Sequence, residues 1–338
     1  MPLRIGLMGF GRISRNIFRQ LAGRDDLRIV AISDLGDPES MAYLLTYDTL
    51  YRKFPGPVAL QGRYLVAGGH RARLLRGGRP EDMPWDVVGA DVVVEATHAF
   101  RRGADLEGHL ASGARRVLLT TPALDAIDRT IVHGVNHTSL VASDRIISCA
   151  SATTHVLGLM LRILDDAAGI RRAMMTSVHA YSSDQKLSDA VAENPRRSRS
   201  AAENLIPNWS WSPAVVAGMM PHLAGLIDGM AVNVPVPNGS NVDLTAQLRE
   251  PLGGAQVNEI VRQAAEGPYQ RWLEYATEPL VSSDVIGSTK SAVFDSLATM
   301  GQKGLVKTVA WFDNGWGYAA RIIETLETIA RFDKEEPR

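Results

Sequence analysis

Leu3-Arg4-Ile5-Gly6-Leu7-Met8-Gly9-Phe10-Gly11-Arg12-Ile13-Ser14 is the stretch whose reading decides the fold of this 338-residue chain. Leu3 to Met8 has the composition of a short buried strand, and Gly9-Phe10-Gly11 interrupts it at once. A helical pattern then carries Ile17, Phe18 and Leu21 on one face, and a second strand runs from Arg28 to Ser33 and ends in Asp34. Strand, glycine turn, helix, strand and acid in that order form a dinucleotide-binding fingerprint in its required context. Gly9 permits the tight turn. Gly11 lets the backbone approach a pyrophosphate at the helix N-terminus, with Phe10, Arg12 and Ile13 flanking it. Asp34 lies 20 residues past Ser14, where a carboxylate bonds ribose hydroxyls and repels a 2′-phosphate, so the expected cofactor is NAD. Ser14 stands at the third glycine position and is small enough to keep the helix close to the strand.

Outward from this unit, strands and helices keep alternating. Asp91 to Thr97 is a buried strand with Thr97 and His98 at its end, Ala104 to Leu110 is a helix, and Arg116 to Thr121 is another strand. The pattern implies an α/β fold with a doubly wound parallel sheet. Composition agrees: 45% of residues are apolar, 22% are charged, and the length calls for two packed domains. A formal net charge of −1 argues against a nucleic-acid partner. No apolar run is long enough to span a bilayer. A single cysteine excludes an intramolecular disulfide and fits a reducing cytoplasm. The N-terminus runs straight into a strand pattern, unlike a targeting segment.

Near the middle of the chain, Ser148-Cys149-Ala150-Ser151-Ala152-Thr153-Thr154-His155-Val156-Leu157 leads from a strand into an apolar helix. It resembles the active-site motif of the phosphorylating glyceraldehyde-3-phosphate dehydrogenases, Ser-Asn-Ala-Ser-Cys-Thr-Thr-Asn-Cys-Leu. Four further stretches extend the resemblance over nearly the whole chain. Ser177-Val178-His179-Ala180-Tyr181 matches the strand that carries the family's general base. Leu205 to Ala214 matches the loop that holds inorganic phosphate. Met230 to Asn238 matches the strand that grips the substrate phosphate, and Asp313 to Tyr318 matches the turn whose asparagine binds the nicotinamide carboxamide.

The resemblance implies a Rossmann domain over 1–151, joined by the C-terminal helix 319–338. It implies an α+β catalytic domain with a mostly antiparallel sheet over 152–318, whose loop 182–204 lines a neighbouring cofactor site in a homotetramer. It assigns Gly9, Phe10, Gly11, Arg12, Ile13, Asp34, Thr97, Asn314 and Tyr318 to NAD. His179 is the expected acid/base, and His155, where the family has asparagine, is a candidate helper. Ser151, Thr153, Ser182, Arg199, Ser210 and Asn233 fall on the substrate side. No metal-ligand spacing is present.

His98 stands beside the cofactor side where the family has glycine, but the departures that bear on the chemistry lie on that substrate side. The nucleophilic cysteine falls on Ala152, the substrate-phosphate arginine on Asn233, and the phosphate-loop glycine on Trp211. Cys149, three residues before Ala152, reads as a small buried hydrophobe. The expected activity is therefore non-covalent hydride transfer between NAD and an alcohol, aldehyde or other carbonyl compound. The alternatives are a catalytically silent NAD-binding or regulatory paralogue, and an ordinary glyceraldehyde-3-phosphate dehydrogenase carried as a Cys-to-Ala variant.

Overall fold

The computed structural model describes residues 1–335, which form two compact units. The first comprises Met1–Ile131, His137–Ala150 and the C-terminal stretch from Tyr318; the second comprises Val132–Asn136 and Ser151–Gly317.

The first unit is built on a nine-stranded sheet. Its strands lie in the order Arg129–Thr130, Ile146–Ser148, Arg116–Leu119, Val92–Glu95, Leu3–Met8, Leu27–Asp34, His70–Arg76, Tyr64–Ala67 and Val58–Gln61. The first seven are parallel neighbours and the last two are antiparallel additions. The parallel strands read as near-continuous apolar runs, as a sheet covered on both faces requires: Val92, Val93 and Val94 are fully buried. Chain order reverses on either side of Leu3–Met8, so the carboxyl ends of this strand and of Val92–Glu95 form the topological switch point where open α/β sheets bind ligands. The fold class expected from the sequence is the one observed.

A buried polar chain stiffens that switch point. Glu95 closes its strand with a side chain that is 0% exposed. Its Oε1 accepts from the Thr97 amide at 2.7 Å and from the Thr97 hydroxyl at 2.5 Å. Its other oxygen lies 3.1 Å from His109 Nε2, and His109 Nδ1 accepts from Trp85 Nε1 at 2.9 Å. With Nδ1 accepting, His109 carries its hydrogen on Nε2 and donates to the carboxylate. Every polar atom of this chain has a partner, which is what makes the buried carboxylate tolerable.

The second unit contains a seven-stranded sheet, in the order Ile206–Trp209, Ile227–Val234, Ile170–Ala180, Ser240–Leu248, Leu305–Phe312, Ala292–Gln302 and Leu273–Ala276. Four of the six pairings are antiparallel. The helix Ala152–Ala168 lies in the core of this unit: Val156, Leu157, Leu159, Met160, Leu161 and Leu164 are at most 1% exposed. Ser151 caps it, its hydroxyl accepting from the Thr154 amide at 3.1 Å.

Candidate active site

The cofactor candidates of the first unit gather at its switch point. Gly9 ends the first strand at φ +87, in the left-handed region. A Cβ there would lie 3.1 Å from the Ala96 carbonyl carbon and 3.1 Å from the Thr97 side chain, so the turn packs directly on the end of the neighbouring strand. Gly11 differs. It is exposed, and a Cβ on it would meet nothing within 4 Å. Gly11 is also the N-cap of Arg12–Gln20, with no side-chain cap and no acid in the first turn. An open surface over an uncapped helix N-terminus fits a pyrophosphate.

Asp34 supports the same turn. One carboxylate oxygen accepts from the Phe10 amide at 2.6 Å and the other from the Gly36 amide at 2.8 Å. The carboxylate is thereby locked at the strand end with lone pairs left for ribose hydroxyls. Arg12 and Ile13 are half-buried in the first helical turn, and Thr97 is tied to Glu95. His98, next in the chain, takes φ +63, a conformation that glycine adopts more readily. Tyr318 is placed differently from the other cofactor candidates: its ring is 5% exposed and its hydroxyl donates to the Ala150 carbonyl at 3.0 Å. Burial pushes its phenol well above the usual tyrosine range.

Cys149 belongs to the same interior. It is fully buried, with Sγ 3.3 Å from Thr325 Oγ1, and burial pushes its thiol up to about 12. At neutral pH it is a thiol rather than a thiolate, and so a poor nucleophile.

In the second unit, sheet register brings the substrate-side candidates onto adjacent strands. His179 pairs with Asn233 on the parallel neighbour, and Asn233 pairs with Ile206 on the next strand. His179 is half-buried, with its ring edge toward Phe312 at 6.2 Å. Its Nδ1 lies 2.6 Å from the Ala180 carbonyl oxygen, and its Nε2 lies 3.1 Å from Asn314 Nδ2. A carbonyl can only accept, so Nδ1 carries the ring hydrogen of the neutral imidazole and Nε2 is the basic nitrogen. Asn233 is 7% exposed; its Nδ2 reaches only the Ala180 carbonyl, at 3.5 Å, and its buried Oδ1 has no protein partner.

The remaining candidates are less centrally placed. Ser151 is occupied in capping, and its hydroxyl is also 2.7 Å from Thr154 Oγ1, which donates to Ser212 at 3.0 Å. Ala152 opens the helix half-buried, and Thr153 beside it is 7% exposed. Ser182 donates to Asp184, and Ser210 accepts from the Ser212 amide. Arg199 lies exposed in an ion pair with Asp189 at 3.0 Å. Its charge is matched within its own loop. His155 is 1% exposed, with Nδ1 3.0 Å from the Ser151 carbonyl and its ring stacked on His133 at 6.1 Å. This places it in the packing layer of its helix. Ser240, which sequence reasoning did not single out, bonds Asn314 directly.

Comparison with known proteins agrees with this geometry. Residues 3–103 match the family model described as the glyceraldehyde 3-phosphate dehydrogenase NAD binding domain, and residues 148–314 match the C-terminal domain of the same family. The chain is 42% identical over 331 residues to glyceraldehyde-3-phosphate dehydrogenase 2 of Streptomyces arenae, covering 97% of this chain and 99% of that protein. It is 41% identical over 330 residues to the glyceraldehyde-3-phosphate dehydrogenase of Kitasatospora aureofaciens, covering 97% and 99%. It is 39% identical over 339 residues to that of Mycobacterium avium, covering 98% and 99%. The cofactor is NAD. With a Rossmann unit, a mixed second unit and family matches to both, the chain belongs to the glyceraldehyde-3-phosphate dehydrogenase family and is an NAD-dependent oxidoreductase.

Proposed function

We propose that this protein transfers hydride between NAD and an alcohol, aldehyde or other carbonyl substrate without forming a covalent enzyme intermediate. The observation that carries the reading is the contrast between Cys149 and His179. The chain's one thiol is sealed in the first unit with its pKa raised, whereas His179 offers a basic Nε2 held by two defined hydrogen bonds. Removing the nucleophile from an acyl-transfer site costs about 10⁶-fold in rate, which closes the thioester route of the relatives if Ala152 stands at its position. Hydride transfer needs no thiol. It needs an oriented substrate carbon and a group that takes or returns the hydroxyl proton.

Bound NAD supplies the hydride acceptor, and NADH the donor. Gly9 to Ile13, Asp34 and Thr97 in the first unit would hold the dinucleotide, and Asn314 in the second would bond a carboxamide. His179 Nε2 would take the substrate hydroxyl proton during oxidation, once that hydroxyl displaces the Asn314 NH₂ from its one lone pair, and would return it during reduction. Asn233 Oδ1, buried and lacking a protein partner, accepts from a substrate hydroxyl. A neutral amide at this position forgoes the charge-assisted contact that an arginine makes to phosphate, a difference of about 1.5–3 kcal/mol. Trp211, exposed with its ring 4.2 Å from that of Trp209, puts a large side chain in the loop where close backbone approach to an anion would be needed. The substrate is accordingly uncharged at the position where the relatives' substrate carries phosphate. The loop 182–204, with Leu187 and Val191 exposed, packs against neighbouring copies in a cytoplasmic homotetramer.

A panel of short aldehydes and ketones with NADH tests the reading. Turnover is expected to persist in phosphate-free buffer and after iodoacetamide treatment. Phosphate-dependent NADH formation from glyceraldehyde 3-phosphate would restore the activity named for the relatives. Tight NADH binding with no turnover across the panel would make the chain a silent cofactor-binding subunit.

A further inference from the structure

We propose that Ser240 is a positioning residue: through Asn314 it keeps His179 unprotonated at Nε2 until a substrate hydroxyl arrives, and it aims the same amide at the cofactor. The proposal rests on the reading above, in which His179 is the acid/base and Asn314 meets the carboxamide.

The hydrogens of His179, Asn314, Ser240 and Ala180 run round a closed ring. The Ala180 carbonyl accepts from His179 Nδ1, so the neutral imidazole presents a lone pair at Nε2 and needs a donor there. Asn314 provides one at 3.1 Å, but only while its NH₂ faces the ring. The reverse face would present Oδ1 and pair only with a protonated ring, so the face the amide shows is tied to the ring's proton state. Ser240 fixes that face. Its Oγ accepts from the Ala180 amide at 2.9 Å, which leaves its own hydrogen to donate, and it donates to Asn314 Oδ1 at 2.8 Å. The oxygen of the amide is thus held on the serine side and the nitrogen on the histidine side. The Asn314 backbone is anchored as well, its amide donating to Asn238 Oδ1 at 3.0 Å. Ser240 is 1% exposed, so bulk water does not compete for its hydroxyl.

Two consequences follow for the chemistry. An amide NH₂ has two hydrogens. One is given to His179 Nε2, and the other remains for an acceptor such as a carboxamide oxygen. In addition, donation to Nε2 stabilises the unprotonated ring, whereas an overturned amide would offer Oδ1 and stabilise the protonated one. The nearby charged groups are engaged elsewhere. Asp313 accepts from the amides of Gly287, Gly315 and Trp316, and Asp184 in the loop after the His179 strand is taken by Ser182 and Arg197. Asp243, on the strand of Ser240, pairs with Lys307 at 2.7 Å, and Asp228 lies at the Met174 end of the neighbouring strand. The amide therefore sets the sign.

The test compares wild type, Ser240→Ala and Ser240→Thr. Ring-¹⁵N-histidine labelling, with His179 assigned by its loss in His179→Gln, reads the ring's proton state in cofactor-free protein. NADH affinity and the pH profile of kcat/KM complete the set. In Ser240→Ala, protonation of the His179 ring and the acid limb of kcat/KM are both expected to move about one pH unit upward, and NADH to bind about tenfold more weakly. Ser240→Thr, which keeps a hydroxyl, is expected to restore all three. An alanine variant whose ring-nitrogen titration matches wild type overturns the proposal, as does a folded threonine variant that behaves like alanine. Wild type that binds no NADH would instead overturn the dehydrogenase reading, while the ¹⁵N titration would still decide the role of Ser240.

Discussion

Replacing His179 with alanine is expected to lower kcat/KM by about 10²- to 10⁴-fold while leaving NADH affinity within a few-fold of wild type. The size follows from the role. Nε2 is the basic nitrogen of a ring whose other nitrogen is committed to the Ala180 carbonyl, so no second atom of the side chain can take over the proton. The selectivity follows from placement. His179 belongs to the second unit, whereas the pyrophosphate and ribose contacts expected of Gly9, Gly11 and Asp34 belong to the first. Steady-state kinetics with the best panel substrate, together with NADH fluorescence titration, separate the two. An alanine variant that keeps wild-type turnover would remove His179 from the chemistry.

The glycine turn gives the second large effect. Gly9→Val places a β-branched side chain at φ +87 with its Cβ 3.1 Å from Ala96 and Thr97. The unfavourable backbone region costs about 1–2 kcal/mol and the overpacking about 1–3 kcal/mol more. Thermal denaturation should report that loss, and NADH affinity should fall at least about 100-fold, because the turn that aims the helix N-terminus is displaced. Gly11→Ala is the informative partner. With nothing within 4 Å of the added carbon, it should fold as well as wild type and yet bind NADH more weakly, since the methyl occupies space left for the pyrophosphate. Equal NADH affinity in Gly11→Ala and wild type would contradict the assignment of this turn.

The parts of the fold legible in the sequence are those encoded by local chemistry. Gly9 reads as a turn because its backbone requires positive φ, Asp34 reads as a ribose acid because it ends a strand, and the apolar runs of the parallel sheet mark their own burial. The readings of Ala152, Trp211 and Asn233 as substrate-side departures rest on the resemblance of their motifs alone. What was not legible depends on pairing across strands. Ser240 opens a strand after Asn238-Gly239, and only the register that sets Val178 against Asn241 and Ser240 against Phe312 brings it to Ala180 and Asn314. The chain from Trp85 through His109 to Glu95 is hidden for the same reason, its members lying on three separate elements. His155 reads in the sequence as a polar residue of an active-site motif, and only the structure shows its ring stacked on His133 from the first turn of a core helix.

The central claim is that turnover proceeds without a covalent enzyme intermediate. Intact-protein mass spectrometry of the enzyme, quenched in acid during steady-state oxidation of its best aldehyde, reacting as the hydrate, with NAD, tests it most directly. The account predicts a single species at the mass of the unmodified chain throughout turnover. An acylated species that forms and decays at the rate of turnover, with the added mass on Cys149, would contradict it.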